Sequence, residues 1–176
     1  MAQKQESDEV VFQTKWFDIV ARRSPGSADP HYLINSSDFV AVVALTKQGN
    51  LLLVRQFRPA VGHATLEVPS GHVERGETPE IAARKELLEE TGHVSDRFEL
   101  LATVSPAIGR FTNRMWCYFA RDARPTDDAT CEIESGIELV PYSGTVRALS
   151  MDKEFWSSLS HSSLLIALAH GRLKLD

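Results

Sequence analysis

Apolar and polar positions alternate loosely along VVFQTKWFDIVARR, from Val10 to Arg23, which predicts one strand, bent along its length. The nine residues before it are largely polar and are expected to be disordered. SPGSADP (24–30) is dense in Pro, Gly and Ser and reads as a turn, and HYLINSS as a short returning strand. DFVAVVALT (38–46) is a continuous β-rich run, the pattern of a buried strand. KQGN turns the chain and LLLVRQF (51–57) follows, so 38–57 reads as a hairpin. ATLEVPSG (64–71) holds a short strand that ends in a Pro-Ser-Gly bend.

The period then changes. Thr78 is placed to cap a helix, Pro79 suits its first turn, and Gly92 can terminate it. FELLATVS (98–105), RMWCYFAR (114–121) and GIELVPYS are further strands, with PAIGRFTN and the polar stretch 122–136 as loops. MDKEFWSSLSHSSLLIALAHGRL carries a C-terminal helix, with Phe155 and Trp156 as its anchors. Strands interrupted by one helix and closed by another predict an α+β fold, a mixed sheet sandwiched by helices in a single domain over 1–176.

Composition narrows the function. A net charge of -5 gives no electrostatic reason to capture nucleic acid or an anionic membrane. An acidic protein that handles phosphates needs metal ions or a local basic patch. Two cysteines, Cys117 and Cys131, make no disulfide framework and fit a reducing cytoplasm. The start lacks the apolar core of a signal peptide, and no run approaches the ~18 apolar residues of a membrane span.

The helix poses the chemical question. Glu86, Glu89 and Glu90 share one arc with Ala82, while Ile81, Leu87 and Leu88 fall on another, expected to pack on the sheet. Like charges at such spacing repel by a few tenths of a kcal/mol per pair. A solvated surface face would tolerate this. Two features argue for more: Arg84 and Lys85 point to other arcs, and the loop before the helix is rich in glycine, which lets backbone carbonyls turn toward the carboxylates. Oxygen ligands of this kind suit Mg²⁺ or Mn²⁺.

The segment GHVERGETPEIAARKELLEETGH resembles the signature of the Nudix hydrolases, G-x5-E-x7-R-E-U-x-E-E-x-G-U, where U is aliphatic. Gly71, Glu77, Glu86, Leu87, Glu89, Glu90 and Gly92 stand at matching positions. Lys85 stands where the family has arginine, and His93 where it has an aliphatic residue. Reading Arg84 into the arginine position would misalign every glutamate. The family arginine orients carboxylates of the motif; lysine keeps the charge but lacks the bidentate fork.

The resemblance implies a Nudix-type α/β/α sandwich with a catalytic loop-helix-loop, and hydrolysis of a nucleoside diphosphate linked to another moiety. It implies Mg²⁺, or Mn²⁺, with two or more ions per site. Glu86 and Glu90 would be the principal ligands, Glu89 a further one, and the Ser70 carbonyl would complete the shell. Glu77 would brace the loop. The general base would be a loop glutamate from CEIESGIELV, and Glu134 is chosen over Glu132 and over Glu138, which belongs to the strand.

LLLVRQFRPAVGHATLEVPSGHVERGET is similar to the ADP-ribose and ADP-sugar pyrophosphatase branch, as is the proline-containing loop VSPAIGRFTN. By that likeness Arg58 contacts substrate phosphate or pairs with a glutamate, Glu67 being the candidate. Arg110, Phe111 and Asn113 shape specificity. Trp16 and Tyr32 are candidates to stack on adenine, within one chain or across a homodimer joined through strands 10–36, although a tryptophan in an amphipathic strand equally fits a core. Phe17 and Trp116 are expected to pack. None of the six histidines has ligand spacing with another. The expected reaction is ADP-ribose or ADP-sugar to AMP and a sugar phosphate. The alternatives are hydrolysis of other NDP-sugars, dinucleoside polyphosphates, NADH or capped RNA, and a module that binds a nucleotide sugar without cleaving it.

Overall fold

The computed structural model describes residues 7–24, 26–128 and 132–176. Residues 1–6 and Cys131 lie outside these, so the expectation of a disordered start is tested only from Ser7 onward. There it fails, because the first strand already begins at Ser7.

That strand, β1 (Ser7–Gln13), and β2 (Phe17–Arg23) are two strands where one bent strand was expected. The break is made by Thr14, whose hydroxyl accepts from the N–H groups of Trp16 and Phe17 and donates to the Phe17 carbonyl. A threonine side chain thus does what Gly or Pro does in most tight turns. With β3 (His31–Ser36) they form a three-stranded antiparallel sheet.

The larger sheet is built from β4 (Phe39–Thr46), β5 (Leu51–Arg58), β6 (His63–Glu67), β7 (Ser70–His72), β8 (His93–Val94), β9 (Arg97–Val104), β10 (Met115–Pro125) and β11 (Ile137–Tyr142). Its central order is β11-β5-β4-β10-β8, and the β4–β10 pair is parallel while the others are antiparallel. β10 runs on to Pro125, into the stretch expected to be a loop, because Arg124 and Pro125 pair with β8.

Alternation along β4 divides the core in two. Val40, Val42 and Ala44 face helix α1 (Pro79–Thr91), with Leu52, Ala82, Ala83, Leu87 and Tyr118. Ala41 and Val43 face the other way, with Leu53, Met115, Cys117 and Phe119, under α2 (Val146–Ser150) and α3 (Ser158–Ala169). Both layers are closed by fully buried anchors, Leu87 on one side and Leu149, Phe155 and Leu164 on the other. Removing one such side chain costs about 2–5 kcal/mol. The result is the α/β/α sandwich.

The phase of α1 differs from expectation. Ile81 is 54% exposed and does not pack on the sheet. The buried arc runs through Ala82, Ala83, Leu87, Glu90 and Thr91. One carboxylate, Glu90, is therefore turned inward along with the apolar side chains, and Glu86 one turn earlier is half-buried beside it.

Candidate active site

Both ends of α1 are pinned, which fixes where its glutamates point. The Thr78 hydroxyl accepts from the Ile81 N–H at 3.3 Å, and Pro79 opens the helix. Gly92 ends it in the left-handed conformation, φ 65°, with its N–H on the Leu88 carbonyl at 2.7 Å. A Gly at this position carries no Cβ penalty.

The inward arc meets β7 at very short range. A Cβ built on Gly71 would lie 2.0 Å from Glu86 Oε1 and 2.5 Å from Oε2. The missing side chain at Gly71 is the cradle of the Glu86 carboxylate. Next to it the Ser70 N–H donates to Glu90 Oε2 at 2.8 Å, and Glu90 is only 3% exposed. The Glu134 N–H donates to the Glu89 carbonyl at 2.9 Å, tying the 132–136 loop to the end of the helix.

Burial makes these charges costly. It is the first cause that pushes the Glu86 carboxyl up to about 7, aided by repulsion from Glu89 and Glu134 and opposed by Lys85. It likewise pushes Glu90 up to about 8, against the Ser70 hydrogen bond and Arg58, with Glu86 and Glu134 repelling. Arg58 is the positive group near Glu90 that helical arcs alone did not reveal, since it comes from β5.

Among the described residues, no three Asp, Glu, His or Cys side chains are gathered as ligands of one ion in this conformation. The donor set nevertheless fits a hard cation. It is all oxygen, it is cradled where a side chain is missing, and its carboxylates are held close together at a cost that a divalent ion would remove.

Glu86 and Glu90 border a cleft of about 630 Å³ through Ser70 and Gly71, which line it. Arg58 and Glu67 also line it. Arg58 grips the buried Glu67 with both Nε and Nη2, each at 2.8 Å, and the Thr65 hydroxyl donates to Glu67 as well. Burial alone would raise the Glu67 carboxyl; the arginine fork and the hydroxyl outweigh it and hold it below the ordinary value. Such a fork fixes the guanidinium plane. Two residues earlier on the same strand face, the Gln56 amide nitrogen is buried with no hydrogen-bond partner among the described residues.

Lys85 sits on the other side of the motif. Its Nζ is 2.8 Å from Glu74 Oε1 and 3.9 Å from Glu77 Oε1, and Glu77 in turn accepts from the Glu74 N–H. It orients the carboxylates of the loop, and does not touch Glu86 or Glu90 by any hydrogen bond or ion pair among the described residues.

A family comparison agrees with this geometry. The model of the NUDIX domain matches residues 37–155, more than half of the chain. The chain belongs to the Nudix family. An ADP-ribose pyrophosphatase of Bacillus subtilis (strain 168) is 32% identical over 100 residues, 55% of this chain and 54% of that protein. An ADP-sugar pyrophosphatase of Mus musculus is 42% identical over 77 residues, 42% of this chain and 34% of that protein. The chain thus spans about half the length of the curated relatives it matches, or less. A crystal structure of an ADP compounds hydrolase superposes with a TM-score of 0.76 at 20% identity, covering 98% of this chain and all of that one, a likeness of fold.

The Nudix helix, its cradle and the Arg58–Glu67 cleft bring together Glu86, Glu90, Ser70, Arg58 and Glu67, with Glu89 and Glu134 at the helix end. Of the loop glutamates, Glu138 is in β11 and committed to Arg55 at 2.9 Å. Glu134 is near enough to raise both Glu86 and Glu90.

Trp16, Tyr32 and Arg110 do not join this cleft within one chain. Trp16, in the β1–β2 turn, is 68% exposed and in no core, with Lys15 over its ring. Tyr32 and Arg110 line a separate depression of about 300 Å³ on the three-stranded sheet, where Arg110 bonds His31. Phe111 forms a bridge to Ile34, and Asn113 is buried and donates to the Ser37 carbonyl. Phe17 is partly exposed, whereas Trp116 is half-buried and bonded to Asp38. Phe155 is the anchor expected, but Trp156 is exposed and lines the cleft. Trp156 was missed as a cleft residue, because an aromatic pair beside a helix reads as packing.

Proposed function

We propose that this protein hydrolyses the pyrophosphate bond of a nucleoside diphosphate joined to another moiety, ADP-ribose or an ADP-sugar, releasing AMP and a sugar phosphate. The observation that carries the reading is the junction of two arrangements: Glu86 and Glu90 against Gly71 and Ser70, and a cleft on the other side of those residues that holds Arg58. The similarity to a bacterial ADP-ribose pyrophosphatase and a mouse ADP-sugar pyrophosphatase supports the same substrate class.

Glu86, Glu90 and Glu89, with the Ser70 backbone, would hold two or more Mg²⁺ or Mn²⁺ ions. Bound there, such ions would neutralise the pyrophosphate and polarise its phosphorus. The rest falls to the chain. Arg58, aimed by Glu67, binds a phosphate oxygen. Glu134 takes a proton from the attacking water. The water oxygen bonds to phosphorus as the bridging P–O bond breaks, and the leaving phosphate keeps that electron pair. Lys85 holds the loop that positions the helix.

The same reading includes a homodimer, formed through the N-terminal sheet, where Val10, Phe12, Trp16 and Tyr32 are exposed together. It would bring Trp16 and Tyr32 to a partner's cleft, and sedimentation velocity tests it. Among the described residues no helix is long and apolar enough to cross a membrane, and a cytoplasmic location belongs to this proposal.

The test is incubation with Mg²⁺ and a panel of ADP-ribose, ADP-glucose, UDP-glucose, NADH and a dinucleoside polyphosphate, scored for released phosphomonoester. ADP-ribose or ADP-glucose turnover that disappears in Glu90→Gln supports the proposal. Binding of ADP-ribose without turnover makes the protein a sensor and overturns it. Cleavage confined to the other conjugates moves the substrate.

A further inference from the structure

We propose that Trp156, from the same chain as the acidic helix, is the platform on which the base of the bound nucleotide stacks. This rests on the nucleotide-binding part of the reading above and adds to it a site that Trp16 and Tyr32 do not fill within one chain.

Three observations carry it. First, Trp156 is 61% exposed and lines the cleft that Arg58, Glu67, Ser70 and Gly71 also line. An indole exposed along a largely apolar wall, with Arg58 and Glu67 in the same cleft, is poised for a planar ring. Second, its mount is rigid. The Glu154 carbonyl accepts from the Leu66 N–H at 2.8 Å and from the Trp156 N–H at 2.9 Å. The Glu154 carboxylate is held by Arg55 at 3.0 Å. On one side Phe155 is fully buried, and on the other Ser157 caps α3 through the Ser160 N–H. The indole is displayed with little backbone freedom left to lose on binding. Third, it is next to the phosphate arginine. His63 is the cross-strand partner of Arg58, and the His63 ring lies 5.4 Å from that of Trp156, tilted by 38°. A nucleotide whose phosphate meets Arg58 has its base within the same short stretch of wall.

Stacking responds to ring area, not to the hydrogen-bonding edge. The platform therefore favours purine over pyrimidine conjugates and discriminates weakly between adenine and guanine.

AMP, which has no pyrophosphate to cleave, separates this inference from the hydrolysis itself. Calorimetric titration with AMP is run on the wild type, Trp156→Phe, Trp156→Ala, Met151→Ala as the control and Trp16→Ala as the test of a partner-supplied ring, alongside kcat and KM for ADP-ribose. Trp156→Ala is expected to weaken AMP about tenfold to a hundredfold. KM should rise by a similar factor, with kcat within about threefold. Trp156→Phe should restore most of the affinity, and Met151→Ala, at an exposed apolar residue outside the cleft, should leave it unchanged. Because the side chain is exposed, thermal midpoints should not differ. Unchanged AMP affinity in Trp156→Ala, no AMP binding by the wild type, or a loss confined to Trp16→Ala each overturns the proposal. If AMP binds through Trp156 but ADP-ribose is not cleaved, the platform stands and the hydrolytic reading fails.

Discussion

Replacing Gly71 by alanine separates catalysis from folding. The added Cβ would sit 2.0 Å from Glu86 Oε1, where ordinary contact begins at 3.4 Å, so the carboxylate must retreat by about 1.4 Å. Glu86 is a flexible side chain and can swing away. Gly71 is in strand β7 and is not among the glycines of positive φ, so alanine strains no backbone there. The stability change should stay below about 1 kcal/mol. Misplacing a positioned group by about 1 Å costs roughly a hundredfold in rate, equivalent to about 2.7 kcal/mol on the barrier. The control is Gly49→Ala, in the β4–β5 turn at φ 86° with nothing near the new methyl, which should cost about 1–2 kcal/mol of stability and no activity. The assay is kcat/KM for ADP-ribose with Mg²⁺, paired with urea unfolding. A Gly71→Ala variant that keeps kcat/KM within about twofold of the wild type would refute the cradle argument.

Arg58→Ala leaves the buried Glu67 carboxylate with only Thr65, and should lower stability by about 2–3 kcal/mol in urea unfolding as well as weaken substrate. Because Arg58 holds the Glu67 carboxyl low, the pair's contribution is present above the unfolded carboxylate value and is lost as pH falls through the folded one. Glu86 and Glu90 work in the opposite sense, with folded values raised to about 7 and about 8 from 4.5. Their contribution to metal-free stability is full below about pH 4.5 and disappears as pH climbs through about 8, and Mg²⁺, competing with those protons, should stabilise more as pH rises. Thermal midpoints at about pH 5.5 and about pH 8.5, in EDTA and in Mg²⁺, check this; parallel pH slopes would sink it. Glu134→Gln should lower kcat by about a hundredfold to ten-thousandfold with an unchanged thermal midpoint, and Glu132→Gln should leave both kcat and the midpoint unchanged.

Much of the molecule could be read from its residues. The caps Thr78 and Gly92, the apolar runs of β4 and β5 and the carboxylate arc of α1 are local signals, and local chemistry produced them. What was not legible depends on what lies across a gap. Ile81 is apolar, yet it is exposed, while Glu90, held by the Ser70 N–H of another element, is buried. The β1–β2 turn has no glycine or proline, and Thr14 supplies the bonds. Trp16 and Trp156 are both tryptophans in amphipathic contexts, and only the fold puts one in the cleft and the other on a distant turn. The Arg58–Glu67 fork was expected from the family resemblance, but its neighbour Glu90 comes from another element.

The parallel pairing of β4 with β10 has a consequence for how the chain is made. Phe39 finds its partner Met115, and Thr46 finds Ala123, only after some 76 intervening residues have been threaded into place. Contacts so distant along the chain are entropically late. During synthesis the run from Val40 to Ala44 therefore waits with one flank bare, a sticky β-forming tract that neighbouring nascent chains can seize. Slowing elongation before residue 115 should raise the aggregated fraction, and pausing after residue 125 should not.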